Sequence, residues 1–268
     1  MQLNDFFYEH PVFTTQEVSD FLNKRGSDSR WTLKALLAHH ERQGHIVRLR
    51  PGLYATVPPG TDPDHVSVDP FAIASKLADN AVLGYHTALE FHGKAYSSFN
   101  RVFFLTTHQI RSCVIGAHTF QPVLVPKALR TKDNSGVFVE KVDRSGVSVS
   151  VTSLERTCVD VLDRPDLAGS WEEIWRSLES IEFFDLDTLV EYAVMLDSAT
   201  TIAKVGYFLH QHREELMVEN THLDRLKRHL PAQPHYMDRS HPGEAQLEKE
   251  WNLIVPVSIV ERSWEETT

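Results

Sequence analysis

The chain has 268 residues, 41% apolar and 24% charged, with 27 Lys and Arg against 37 Asp and Glu for a net charge of -10. That is the make-up of a soluble globular protein, long enough for two domains that each bury a core. No run of about 18 apolar residues occurs, which excludes a spanning helix, and Cys113 and Cys158 are too few and too far apart for a disulfide framework or a cysteine zinc site.

The opening MQLNDFFYEHP lacks the basic and then apolar order of a secretory signal, so a cytoplasmic location is expected. Leu3, Phe6 and Phe7 fall at helical spacing. Thr14 precedes Glu17 by three residues, the pattern of a capping box. Behind it Val18, Phe21 and Leu22 form an apolar stripe, Gly26 is expected to end the helix, and Ser27, Asp28 or Ser29 can cap the next. That helix, over about residues 29–43, turns Leu33, Leu36, Leu37 and His40 inward. Its other face carries Arg30, Trp31, Thr32, Lys34, Ala35, Ala38, His39 and Arg42. Small residues flanked by basic and polar ones suit close approach to a DNA major groove. The plainer alternatives are a solvated face, a Trp31 packed on a neighbour and a His40 at the core edge.

After Gly44, HIVRL alternates with Val47 and Leu49 inward and Arg48 outward; Arg50-Pro51-Gly52 is a turn, and Leu53-Tyr54-Ala55 returns as a second strand. Arg48 and Arg50 thus stand near the tip of a hairpin, where guanidinium groups can meet phosphates or a minor groove. Two helices followed by a basic hairpin is the layout of a winged helix-turn-helix. Charge separates this head from the rest. Residues 24–50 hold seven Lys or Arg against two Asp or Glu, a balance of +5, which leaves -15 elsewhere. A polyanion is directed to such a head, while an acidic body repels it or meets a basic protein.

Residues 58–68, rich in proline and acids, read as a linker between a domain over 1–57 and a larger one over 69–268. In the larger one, helices are expected at 70–77 and 85–92. Strand-like runs follow at 101–107, 120–126, 136–142 and 146–152, pointing to a small, mostly antiparallel sheet. Beyond Thr152 the apolar period becomes helical. Thr152 to Glu155 reads as a second capping box, and further helices are expected at 171–181, 186–196 and 200–212 before a polar stretch and a last element at 244–257. The expected fold class is α+β, a winged helix-turn-helix followed by a mixed domain with a helical C-terminal part.

Two stretches together, RLRPGLYA closing the head and VTSLERTCVDVLDRPDLAG followed by a helical block ending KVGYFLHQHREEL, resemble the AbiEi family of transcriptional regulators and antitoxins. The resemblance covers roughly residues 1–216. It implies a winged helix that binds inverted repeats in double-stranded DNA of its own promoter. It also implies a C-terminal domain that counteracts a nucleotidyltransferase-like toxin, a functional partner that need not form a stable complex with it. The family's basic positions map onto Arg30, Lys34, Arg42, Arg48 and Arg50, and it brings no catalytic residues or cofactor.

For chemistry, Glu155, Arg156 and Asp160 are the most enzyme-like group, since two acids and a guanidinium could hold a metal or a phosphate. Against that, Glu155 and Asp160 lie about 140° apart on a helix, and Arg156 with Asp160 at i and i+4 makes an ordinary ion pair. His210 and His212 face nearly opposite ways on a helix, and His86 and His92 lack an evident third ligand. No phosphate-binding glycine loop, nucleophile elbow or zinc quartet is present. The competing functions are a metal-dependent nucleic-acid enzyme delivered by the head, and a winged helix that binds protein.

Overall fold

A computed structural model describes residues 3–24, 30–132, 134–239 and 243–264; it leaves aside the side chains of Asn4 and of residues 30–32. The fold is α+β. Its contacts divide it into two compact units, one of residues 1–83, 100–122 and 141–150 and one of residues 84–99, 123–140 and 151–268.

The first unit begins with α1 (Leu3–Glu9), β1 (Val12–Thr14), α2 (Thr15–Asn23), α3 (Arg30–Arg42), β2 (Ile46–Arg50) and β3 (Leu53–Thr56). The first capping box forms as its spacing requires. Thr14 Oγ1 accepts from the Glu17 N–H at 3.2 Å, and Glu17 Oε2 accepts from the Thr14 N–H at 2.7 Å. The other Glu17 oxygen takes the Lys76 ammonium. Burial raises the pKa of this carboxyl, but the hydrogen bonds and charge of Lys76 and Thr14 outweigh it and hold the group below its ordinary value. Helix α2 ends at Asn23 with Lys24 as its C-cap; the expected stop at Gly26 and the caps at Ser27, Asp28 and Ser29 lie outside the described residues.

β1 pairs antiparallel with β3, and β3 with β2, giving a three-stranded sheet in the order β1-β3-β2. Sequence reading missed β1, because three residues between two helices carry no alternation. Phe6, Phe7, Phe13, Val18, Leu37, Ile46 and Tyr54 close one core under the helices. A buried side chain of this size contributes about 1.5–3 kcal/mol. In the β2–β3 turn Gly52 adopts φ 84°, a region that side chains disfavour.

The chain continues through α4 (Pro70–Ser75), β4 (Val82–Leu83), α5 (His86–Phe91), β5 (Arg101–Thr106), β6 (Cys113–Ile115) and β7 (His118–Leu124). After α6 (Lys127–Thr131) come β8 (Val139–Arg144) and β9 (Val147–Thr152). These strands form a six-stranded sheet in the order β6-β7-β5-β4-β9-β8, with β6–β7 and β4–β5 antiparallel. All four strand-like runs are strands; β4 and β6, of two and three residues, fell below what periodicity registers. Val102 to Leu105 are buried without alternation, as befits an inner strand covered on both faces.

The second unit is mainly helical: α5 and α6 are joined by α7 (Leu154–Asp163), α8 (Trp171–Glu179), α9 (Leu186–Met195), α10 (Ala199–Gln211) and α11 (Asn220–Lys227). A parallel and antiparallel sheet of β10 (His235–Tyr236), β12 (Leu253–Pro256) and β11 (Ala245–Glu248) follows, and then α12 (Val257–Val260). Helices α7 and α10 are central, with Arg156 to Leu162 and Thr201 to Leu209 buried throughout. The cap of α7 differs from expectation. Ser153 is the N-cap and accepts from the Arg156 N–H at 3.3 Å, because the Thr152 hydroxyl is turned into the interior, 2.7 Å from that of Thr157. Glu155 is therefore not a capping residue; its carboxylate instead accepts from the Asp185 N–H at 3.1 Å.

Candidate nucleic-acid interface

On α3 the periodicity places the side chains as it requires. Leu37 is buried, Leu33, Leu36 and His40 half-buried, and Lys34, Ala35, Ala38, His39 and Arg42 exposed. Arg42 Nε donates to Ala38 O at 3.2 Å, so its guanidinium lies back along the last turn of its own helix. His40 stacks edge-on to Phe7 and meets the His45 ring nitrogen at 3.1 Å; burial, then the charges of His45 and His39, hold its pKa below the ordinary histidine value. The backbone of Arg30, Trp31 and Thr32 opens α3, while their side chains lie outside the described residues.

Along β2 the expected pattern needs one correction. Ile46 is the buried residue, Val47 and Leu49 are only half-buried, and Arg48 and Arg50 are exposed. The face that buries Ile46 is thus open to solvent two and four residues on, and the pairing with β3 shifts register between Arg48 and Arg50. The strand runs past the edge of its own core, which is why strict alternation from Val47 misjudged it. Arg48 sits opposite Tyr54 and Arg50 opposite Leu53, beside the turn. Arg50 Nη1 also reaches Cys113 Sγ at 3.4 Å, so the start of β6 neighbours this turn. The contact spans 63 residues of sequence, and no local signal announces it.

The first unit holds twelve Lys and Arg against eleven Asp and Glu, a balance of +1, and the second fifteen against twenty-six, a balance of -11. The acidity of the chain belongs to its helical unit.

No family model matches the chain, and no curated protein matches it. A solved structure does. The fold is similar to that of the RV2827C protein from Mycobacterium tuberculosis, with a TM-score of 0.61 over 98% of this chain and 94% of that one, at 16% sequence identity. At that identity the likeness shows the shared fold alone.

In the helical unit, Arg156 and Asp160 of the group read as enzyme-like lie in the interior, while Glu155 is half-buried. Arg156 and Asp160 are wholly buried, 3.3 Å apart. Arg156 Nη1 donates to the carbonyls of Ser135 and Val137 at 3.2 and 2.6 Å, and the Tyr192 hydroxyl donates to Asp160 Oδ1 at 2.6 Å. The ion pair that i, i+4 spacing suggested is present, as part of a buried network. Burial pushes the Asp160 carboxyl up to about 6 against the pull of Arg156 and Tyr192. His86, also buried, stacks on Phe99 at 3.6 Å and meets Glu173 at 3.1 Å. His92 donates to Thr152 O at 2.8 Å, and His210 pairs with Glu250 at 3.2 Å. Among the described residues no group of three His, Cys, Asp or Glu is placed to hold a metal ion. No described helix is long and apolar enough to cross a membrane.

Proposed function

We propose that residues 1–57 form a winged helix-turn-helix that binds double-stranded DNA, with α3 as the recognition helix and the β2–β3 hairpin as the wing. The observation that carries this reading is the exposed set Lys34, Arg42, Arg48 and Arg50, set on a helix and an adjoining hairpin around one aromatic core. The small, exposed Ala35 and Ala38 leave the face of α3 open to a groove, and the wing arginines suit phosphates. Taken with the resemblance to AbiEi regulators, the chain acts as an autorepressor at inverted repeats in its own promoter and as antitoxin to a nucleotidyltransferase-like toxin. An anisotropy titration against the DNA upstream of its own reading frame, with a scrambled duplex as competitor, tests the first part. Specific binding is tighter than non-specific binding by about a thousandfold or more; equal affinity for both duplexes contradicts it. Co-expression with the neighbouring toxin gene tests the second, with rescue of growth as the expected outcome and undiminished toxicity as the contrary one.

The near-neutral balance of the first unit favours one second reading, a winged helix that binds protein. Co-purification with a neighbouring gene product, in the absence of any DNA affinity, would select it.

A further inference from the structure

No Asp or Glu occurs between Glu90 and Asp133, although 37 of the 268 residues are acidic. Residues 100–122 of this acid-free run belong to the same compact unit as the head. They carry β5, β6 and most of β7, with a loop over residues 107–112 that leads into β6. Strand β6 is the outermost of its sheet, so its outer edge has no neighbouring strand there.

The contact between Arg50 Nη1 and Cys113 Sγ, at 3.4 Å, fixes the end of this loop against the turn of the β2–β3 hairpin. A thiol is a weak acceptor and a guanidinium has five N–H donors, so Arg50 keeps donors for a phosphate. Arg111 stands two residues before Cys113, a separation of at most about 7 Å between α-carbons. It is exposed and has no ion pair among the described residues, and His108, Gln109 and Ser112 around it are exposed as well. Phosphates recur about every 3.4 Å of axis along each DNA strand. A duplex that reaches Arg50 therefore presents its next phosphates to Arg111, and the run holds no carboxylate to repel them.

We propose that the loop over residues 107–112 holds DNA phosphates through Arg111, as a continuation of the wing beyond the head. The inference rests on the reading of the head as a DNA-binding winged helix. Charge complementarity and continuity with the hairpin select the occupant, a polyanion already seated on Arg50. A phosphate contact carries no sequence information, so the loop adds affinity and fixes register, while α3 chooses the sequence.

The test is a set of anisotropy titrations of the full-length chain on its own upstream duplex and on a scrambled one, across a series of salt concentrations. The proteins are the wild type, Arg111→Ala, Arg111→Lys, the double variant Arg48→Ala with Arg50→Ala, and Arg228→Ala, which removes an exposed arginine of the helical unit. Arg111→Ala should bind both duplexes more weakly by the same factor, with a slope of log affinity against log salt shallower by about 1. Its melting temperature should match the wild type's, since Arg111 is exposed. Arg111→Lys, which keeps the charge, and Arg228→Ala should retain the wild-type slope. Wild-type affinity and slope in Arg111→Ala, beside a weakened wing double variant, overturn the loop's role and leave the winged helix standing. A wild type that binds neither duplex overturns both. An equal flattening in Arg228→Ala reduces the effect to net charge and overturns the proposal as well.

Discussion

Asp160 and Arg156 show how burial changes the meaning of a spacing. Four residues apart on a helix they promise a few tenths of a kcal/mol at a surface; enclosed in α7, each is the condition for the other's charge. Asp160→Asn leaves a buried guanidinium without its counter-charge and is expected to cost about 3–5 kcal/mol, measured by urea denaturation. A loss below about 1 kcal/mol would place the pair nearer to solvent. The same carboxyl gives a pH prediction. Unfolded, it releases its proton near 3.8, and folded it keeps it to about 6. Between those values the folded state binds more protons, so this group's contribution to stability falls as pH rises through the window and is level above it. A carbon-13 titration of the Asp160 carboxyl should have its midpoint near 6, and a midpoint at or below 3.8 would contradict that burial. Spacing made the pair legible in the sequence. Its depth was not, because the carbonyls of Ser135 and Val137 that satisfy Arg156 come from a loop some twenty residues upstream with no motif of its own.

At the scale of elements, legibility follows local signals. The Thr14–Glu17 box, the stripe of α3, the four longer strands and the amphipathic helices all announce themselves within a few residues. The failures are local too: β1 and β4 are too short for a period, Ser153 competes with Thr152 for the same cap, and Ile46 belongs to a strand that outruns its core. Two substitutions test the packing of elements. Leu37→Ala should cost about 2–5 kcal/mol, since Leu37 is the buried residue by which α3 enters the aromatic core. Gly206→Ala offers a contest of signs. Inside a helix, alanine is favoured over glycine by about 1 kcal/mol, yet a Cβ at residue 206 would fall into the Trp251 ring. Overpacking of that kind costs about 1–3 kcal/mol, so a lowered melting temperature is expected and a raised one would mean that Trp251 moves aside freely.

For the molecule as a whole, the partition of charge decides where a polyanion can bind. A total of -10 would ordinarily argue against a nucleic-acid protein. Here the deficit lies in the helical unit, and the unit that carries α3 and the hairpin is balanced to within one charge. The sequence revealed the basic run over residues 24–50 but not the second unit's boundaries, because those are drawn by contacts between distant segments. On the proposed reading DNA is held by a few exposed cations, so log affinity should fall linearly with log salt, each phosphate contact adding about 1 to the slope. The most direct test is an anisotropy titration of the wild type and of Arg48→Ala with Arg50→Ala against the chain's own upstream DNA, across a series of salt concentrations. Removing one arginine from a phosphate should flatten the slope of log affinity against log salt by about 1, so the double variant should bind more weakly with a slope shallower by about 2. An affinity and a slope unchanged from wild type would contradict the hairpin's role as a DNA-binding wing.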